Sequence, residues 1–142
     1  MPLGQTADFA AAKAWCEQHP AEIASGYQPS KEAIIVWTRW AAKAYADRGI
    51  RLNVISPGPT DTPMMPAFEE LGRKYGFEGI IDVGAQGMGR RATPAEQAWP
   101  LIFLNSDAAA SITGENLTVD GGTQSGFLTG TISRPDFFPS HD

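Results

Sequence analysis

The chain has 142 residues, enough for one domain with a buried core and too few for two of ordinary size. Hydrophobic residues make up 42% and charged residues 19%, as in a water-soluble globular protein, and a formal net charge of -5 offers no basic surface to nucleic acid. No apolar run approaches the roughly 20 residues of a membrane span, and Cys16 is the only cysteine, so we expect a cytoplasmic protein that contacts no membrane and forms no internal disulfide.

The first third of the chain is predicted to be helical. Residues 6–19 are rich in alanine and are followed by a proline, which predicts a short peripheral helix. A stronger helix is predicted over residues 25–48, because apolar side chains recur there at three- and four-residue spacing. Its predicted core-facing side chains are Ala33, Ile34, Trp37, Trp40, Ala41 and Ala44. Further apolar surface on this helix comes from Ile35, Val36 and Tyr45. This surface predicts a homo-oligomer that forms through the helix.

A strand and a long loop follow the second helix. Residues 50–56, "IRLNVIS", alternate apolar and polar side chains and end on a second apolar pair, which is typical of a strand largely buried in a sheet. The proline- and glycine-rich stretch "PGPTDTP" ends that strand. Residues 57–92 show no sustained periodicity beyond one short helix over 66–75, and we interpret the region as a functional loop.

The last third of the chain opens with a capping box. Thr93 is placed to accept a hydrogen bond from the backbone of Glu96, and a proline follows it, so a helix is predicted over residues 93–104. A short helical turn, a glycine break and a strand over residues 116–120 come next. Residues 123–142 are predicted to form a tail, of which the ending "SRPDFFPSHD" is predicted to be extended.

The order helix, strand, loop, helix, strand is typical of an α/β protein with a parallel sheet and crossover helices. Two strands, however, cannot form a self-sufficient sheet with helices on both sides. The pattern therefore predicts one part of a larger α/β fold.

Tyr27 and Lys31 are the residues with the clearest chemical potential. Helical residues four apart lie on the same face, so the phenol and the ammonium can share one space. A neighbouring cation favours the phenolate, and a phenol tuned in this way can give a proton to a carbonyl oxygen or take one from an alcohol. For an isolated Tyr-x-x-x-Lys pair, the simpler interpretation is that Tyr27 packs under a loop while Lys31 is solvated.

Three motifs occur in a fixed order: the Tyr27-x-x-x-Lys31 pair, "RLNVISPGPTDTP" and "GENLTVDGG". Together, over residues 25–122, they resemble the C-terminal half of the short-chain dehydrogenase/reductase family. The resemblance implies the C-terminal portion of a Rossmann-type, doubly wound parallel sheet, without the N-terminal βαβ half, in a single partial domain that uses NAD or NADP. It also implies that Tyr27 is the catalytic acid–base, and that Lys31 favours its ionised form and hydrogen-bonds the nicotinamide ribose.

The turn after the predicted strand matches the family's Pro-Gly-x-x-x-Thr pattern. Pro57, Gly58 and Thr62 occupy its fixed positions, and the resemblance places this turn at the nicotinamide end of the cofactor. Backbone near Thr60 and the Thr62 side chain would meet the carboxamide, since a glycine turn at the carboxyl end of a strand is where open α/β sheets bind ligands. The alternative is a turn that only ends the strand. Asn53 is interpreted as structural.

The residues after the glycine turn correspond to the family's substrate lid. The candidate substrate contacts are Met64, Met65 and Phe68. They imply a bulky apolar or aromatic alcohol or ketone, although packing within the loop explains them equally well. The stretches "TPMMP" and "GRRATPAEQA" resemble the branch of 3α-hydroxysteroid dehydrogenase/carbonyl reductase and coniferyl-alcohol dehydrogenase, which slightly favours NAD over NADP.

Several expected parts of a dinucleotide site have no counterpart in the sequence. There is no Gly-x-x-x-Gly-x-Gly loop for a pyrophosphate, no Asn-Asn-Ala-Gly segment, and no match to the family's catalytic serine or helix asparagine. His19 and His141 lack acidic or cysteine partners at ligand spacing, so no metal is expected. We therefore expect this chain by itself to bind cofactor poorly and to turn over little or nothing. The alternative function is a non-catalytic, oligomerising fragment or interaction protein of the same family.

Overall fold

The computed structural model describes residues 6–23, 26–75 and 79–133. Its elements in chain order are α1 (Phe9–Gln18), α2 (Pro20–Ile23), α3 (Tyr27–Ala46), β1 (Val54–Pro57), α4 (Met65–Tyr75), α5 (Ile80–Gly84), α6 (Pro94–Asn105), a 3₁₀ turn (Asp107–Ala109), β2 (Asn116–Val119) and α7 (Thr123–Thr129). Within the described ranges, no helix has the length and apolarity needed to cross a bilayer. The chain forms two compact units, Met1–Val54 with Ala110–Asn116, and Ile55–Ala109 with Leu117–Asp142.

Strands β1 and β2 form a two-stranded parallel sheet. The backbone N–H of Val54 donates to Glu115, and that of Gly58 donates to Val119, so the pairing advances in the same direction along both strands. Helix α6 lies between the two strands in sequence, as a crossover connection between parallel strands requires. The predicted α/β class is confirmed.

Residues 50–53 precede β1 instead of belonging to it, so the predicted strand begins too early. Asn53 marks the entry to the sheet. Its Nδ2 donates to the carbonyl of Ile112 at 2.9 Å, and its Oδ1 accepts from the backbone N–H of Glu115 at 3.0 Å. The side chain of Asn53 thus lies between two backbone hydrogen bonds that join the same segments, from Gly114 to Leu52 and from Val54 to Glu115. Asn53 has the structural role predicted for it.

The buried face of α3 consists of small residues. The helix starts after Gly26, and its buried side chains are Thr38, Ala41 and Ala42. A Cβ added to Gly114 would lie 3.0 Å from the Ala42 Cβ, which shows how closely the backbones approach there. The predicted core face is wrong for its largest members, since Trp40 is 80% and Trp37 47% exposed. A large side chain at the position of Ala42 would hold the two backbones apart.

The helix bounds in the first unit differ slightly from the predicted ones. Helix α1 begins at Phe9 because the Asp8 side chain caps it, accepting from the backbone N–H of Ala11 at 2.8 Å. Pro20 is the first residue of the short helix α2. The backbone N–H at this position has no partner within a helix, so a proline, which lacks the N–H, loses no helical hydrogen bond there. Ser25, where the second helix was predicted to start, lies outside the described residues.

Helices occupy parts of the regions predicted as loop and tail. Helix α4 agrees with the predicted short helix, whereas α5 and α7 have no counterpart in the prediction, so the predicted tail begins with a helix over residues 123–129. Asp120 explains the last helix, because its Oδ1 accepts from the N–H of Gly122 at 2.8 Å and its Oδ2 from that of Gln124 at 2.7 Å. Residues 134–142 lie outside the described part of the chain.

The capping box predicted at the start of α6 is present. The Thr93 hydroxyl accepts from the N–H of Glu96 at 3.3 Å, and Glu96 Oε2 accepts from the N–H of Thr93 at 2.7 Å. Arg90 adds a two-pronged contact, donating to both carboxylate oxygens of Glu96 at 2.9 and 2.6 Å. The hydrogen bond from Arg90, followed by those from Thr93, lowers the pKa of Glu96 from the usual 4.5 to about 2.

Acid is expected to remove the contribution of the Glu96 charge to stability. Because its folded-state pKa lies below the usual value, this contribution is complete above about pH 4.5 and is lost as the pH falls towards 2. Glu96→Gln keeps a capping side chain but removes the charge, so it should lower the urea midpoint at neutral pH. The difference in urea midpoint between Glu96→Gln and the unmodified chain should decrease steadily below pH 4.5. Far-UV circular dichroism measures both midpoints, and a gap that stays constant on acidification would contradict this assignment.

Candidate active site

Tyr27 and Lys31 lie on one face of α3, in its first two turns. The Lys31 Nζ atom stands over the Tyr27 ring, 5.3 Å from the ring centroid. Gly26 precedes the tyrosine with a φ of 74°, in the left-handed region, so the chain turns into the helix immediately before the phenol. The Ser30 hydroxyl donates to the carbonyl of Tyr27 at 2.7 Å. Tyr27 is 53% exposed, which leaves the ring accessible to a ligand.

The contact between this ammonium and this ring is a weak one. A cation over an aromatic face at an exposed site is worth about 0.5–1 kcal/mol, which biases the lysine side chain without fixing it. Lys31 itself is exposed. Its ammonium is therefore biased towards the face of the Tyr27 ring.

The glycine turn after β1 is held against the end of β2, in the second unit. Pro57 is the last residue of β1, and the N–H of Gly58 donates to the carbonyl of Val119 at 2.9 Å. A Cβ at Gly58 would lie 2.8 Å from the Cα atom of Asp120, a backbone atom that cannot give way cheaply. A glycine is therefore required at this position.

Thr60 is the centre of a parallel bridge with Ala92. The N–H of Ala92 donates to Pro59 at 2.9 Å, and the N–H of Asp61 donates to Ala92 at 2.8 Å. Because successive peptide groups of an extended segment face opposite sides, the N–H and C=O of Thr60 itself point away from Ala92. The Thr60 hydroxyl donates to the carbonyl of Gly58 at 3.0 Å. The turn is thus braced on one side and presents backbone polar groups on the other.

Helix α4 carries the candidate substrate contacts. The carbonyl of Thr62, which is itself half-buried, accepts from the N–H of Met65 at 3.0 Å, so the helix starts where the glycine turn ends. Met65 and Phe68 are half-buried and three residues apart, which places them on one side of the helix. Met64 is 70% exposed and stands apart from them.

A further support of the second unit joins residues 84–87 to the start of α7. Thr123 is only 3% exposed, and its hydroxyl donates to the carbonyl of Gly84 at 2.8 Å and accepts from the N–H of Gly87 at 3.0 Å. A Cβ at Gly87 would lie 2.3 Å from the carbonyl oxygen of Gly121. Sequence reasoning missed these residues, because a glycine in a loop and a threonine after a glycine pair have no distinctive spacing.

The histidines take no part in a metal site within the described residues. In those ranges, no group of three or more histidine, cysteine, aspartate or glutamate side chains could hold a metal ion. The His19 ring stacks on Trp15, with a centroid separation of 4.1 Å, and its Nδ1 lies 2.7 Å from the carbonyl oxygen of the same tryptophan. His141 lies outside the described part of the chain.

The chain is similar to a large group of oxidoreductases. A family model described as enoyl-(acyl carrier protein) reductase matches residues 10–124. The 3-alpha-hydroxysteroid dehydrogenase/carbonyl reductase of Comamonas testosteroni is 43% identical over 96 residues, which are 68% of this chain and 36% of the relative. The coniferyl-alcohol dehydrogenase of Pseudomonas sp. strain HR199 is 33% identical over 128 residues, 89% of this chain and 48% of the relative. Both belong to the branch that the sequence motifs resemble.

Solved structures show the same fold. An NADP-bound structure from Beutenbergia cavernae, assigned to an NAD(P)-dependent gluconate 5-dehydrogenase, superposes with a TM-score of 0.57 at 35% identity, covering 70% of this chain and 38% of that one. The chain spans about a third to a half of the length of the curated relatives it matches.

Proposed function

Since the chain belongs to the short-chain dehydrogenase/reductase family, we propose that it carries the acid–base and nicotinamide-facing part of an NAD(P)-dependent oxidoreductase. Its reaction is the transfer of a hydride between the cofactor and the carbon of an alcohol or a carbonyl group. The observation that supports this proposal best is the position of the Lys31 Nζ atom, 5.3 Å from the centroid of the accessible Tyr27 ring.

Tyr27 acts as the acid–base in this proposal. Its hydroxyl donates a proton to the carbonyl oxygen in the reductive direction, and its phenolate accepts one from the alcohol in the oxidative direction. Lys31 places its positive charge over the ring, 5.3 Å from the ring centroid. Its ammonium would also donate to a ribose hydroxyl of a bound cofactor. A bound nicotinamide supplies or accepts the hydride.

The glycine turn fits the carboxamide end of such a cofactor. The peptide groups of Thr60 face away from their bridge partner, Ala92, and Gly58 lets the turn pack against the backbone of Asp120. We assign the nicotinamide-facing role to Pro57, Gly58, Thr60 and Thr62. The branch resemblance favours NAD, whereas a similar solved protein binds NADP, so both cofactors belong in the first assay.

The substrate is assigned to the class of bulky apolar or aromatic alcohols and ketones. This assignment rests on the apolar side chains at the start of α4, Met64, Met65 and Phe68. The names of two relatives, which refer to a hydroxysteroid and to coniferyl alcohol, point to the same class for those proteins.

A second candidate function is a non-catalytic partner that associates through α3. The exposed apolar side chains of this helix favour it, because Ile34 and Val36 are each 48% exposed and Trp40 is 80% exposed. Ile35 and Tyr45, which were also expected on this surface, are half-buried. Homo-oligomers formed through α3 are compatible with either function.

The purified chain is expected to show little or no turnover, measured as nicotinamide absorbance near 340 nm with cyclic and aromatic alcohols. Its sequence contains no glycine-rich pyrophosphate loop, which the relatives' additional length would have to supply. A chimera should restore activity. In this chimera, the part of the Comamonas testosteroni enzyme that precedes the region of similarity is joined to this chain. The chimera is assayed with NAD and with NADP.

The outcomes of this experiment separate the two candidate functions. Alcohol-dependent turnover by the chimera supports the oxidoreductase. A folded chimera without turnover, together with a stable oligomer of the chain in light scattering, would favour the non-catalytic partner. Appreciable turnover by the chain alone would show that it binds cofactor without a glycine-rich loop.

A further inference from the structure

An ion pair links helix α4 to the segment just before α6. The Arg91 Nη2 atom lies 2.6 Å from the Glu69 Oε1 atom, and the two side chains are 30% and 38% exposed. At this distance the contact is a charge-assisted hydrogen bond. It joins residues 22 positions apart, so it fixes a tertiary arrangement and not a local turn.

Each partner of this ion pair is attached to a different part of the candidate site. Arg91 is adjacent to Ala92, whose backbone is hydrogen-bonded to Pro59 and Asp61 in the glycine turn. Glu69 follows Phe68 on α4 and lies one turn after Met65. The guanidinium is therefore attached to the nicotinamide-facing turn, and the carboxylate to the helix that carries the substrate contacts.

We propose that Glu69 and Arg91 are positioning residues, which form a latch that holds α4 against the glycine turn and so limits the space beside Met65 and Phe68. The inference rests on the proposed function, because it takes α4 as the substrate-contacting helix. A half-exposed ion pair is weak and is screened by salt, so the latch can open for substrate entry and close again.

The neighbouring arginine shows why this pair is distinctive. Arg90 contacts Glu96, at the start of the helix that follows directly in sequence, and the carbonyl of Arg91, so its contacts are local. Glu70 is next to Glu69 on α4 and is exposed. Glu70→Gln therefore changes the charge of the same helix by the same amount as Glu69→Gln, and it is the matched control.

The test measures the opening of α4 in the chain itself. Hydrogen exchange of α4, and tryptic cleavage after Arg73 and Lys74 in its last turn, should be about threefold faster in Glu69→Gln and unchanged in Glu70→Gln. The exchanged pair Glu69→Arg with Arg91→Glu should restore slow opening. Salt at about 1 M, where the screening length is roughly 3 Å, should abolish the difference. Equal rates in the two glutamine variants would overturn the latch.

A second measurement tests the role of the Glu69–Arg91 latch in substrate binding. In the chimera, Glu69→Gln should raise KM for a bulky alcohol about threefold and leave kcat and the KM of the cofactor unchanged. An unchanged alcohol KM, in a chimera that turns over, would overturn that role even if α4 opens faster. An inactive chimera would count against the proposed function, and the exchange measurement would still decide whether the latch exists.

Discussion

Tyr27→Phe is expected to lower kcat of the chimeric enzyme by roughly two to four orders of magnitude, the contribution that a positioned acid–base typically makes. Phenylalanine retains the ring under the Lys31 ammonium, so the cation–π contact survives and only the proton donor is lost. The KM of the cofactor should change little, because the assigned nicotinamide contacts lie elsewhere. Steady-state nicotinamide absorbance measures both quantities.

Tyr45→Phe is the matched control for this substitution. Tyr45 lies on the same helix, where its ring packs edge-on against Trp37 at 6.1 Å and lies 5.8 Å from the guanidinium carbon of Arg48. Both contacts use the ring and not the hydroxyl, so kcat should remain within about twofold, well short of the loss expected for an acid–base. If Tyr27→Phe were equally harmless, the acid–base assignment would be wrong, and the family relationship would remain without a working tyrosine.

Gly87→Ala is expected to destabilise the chain by about 3 kcal/mol, the upper part of the usual range for overpacking. The added Cβ would lie 2.3 Å from the carbonyl oxygen of Gly121 and 2.6 Å from the backbone nitrogen of Thr123. Both obstacles are backbone atoms, so no side chain can rotate to relieve the clash. The displacement would also break the hydrogen bond from Gly87 to the Thr123 hydroxyl. Urea denaturation followed by circular dichroism measures the loss.

Gly89→Ala distinguishes this clash from ordinary backbone strain. Gly89 has a φ of 72°, and a Cβ there would meet nothing within 4 Å. Alanine at Gly89 should therefore cost only the strain of the left-handed region, about 1 kcal/mol. Equal losses at the two positions would mean that the close approach of Gly87 to Gly121 is absent in solution.

The elements that the sequence predicted correctly depend on local signals. The capping box is complete within the four residues from Thr93 to Glu96, and both of its hydrogen bonds are formed. Tyr27 and Lys31 are similarly close in sequence, so their helical spacing alone brings them to one face. For such features, the interacting groups are separated by one turn of a single helix, and the order of residues determines which ones meet.

The missed elements depend on contacts between distant residues. Helix α7 contains Gly126, a poor helix former, and a Cβ at this glycine would lie 2.4 Å from the side chain of Ile132, which would have to move. The predicted core face of α3 was right for Ala41, which is 4% exposed, and wrong for Trp40, which is 80% exposed. The close approach of Gly114 favours a small residue at Ala42, a position that the predicted face did not include. Neither of these close contacts can be predicted from one sequence, because periodicity does not reveal how near two segments of the chain come to each other.

The bridge between Thr60 and Ala92 closes the base of the segment that contains α4. Its two hydrogen bonds join main-chain atoms only, so they place no demand on the side chains between them. The bridge itself therefore tolerates substitutions in α4, whereas the ion pair from Glu69 to Arg91 is a contact of that helix that depends on side-chain identity.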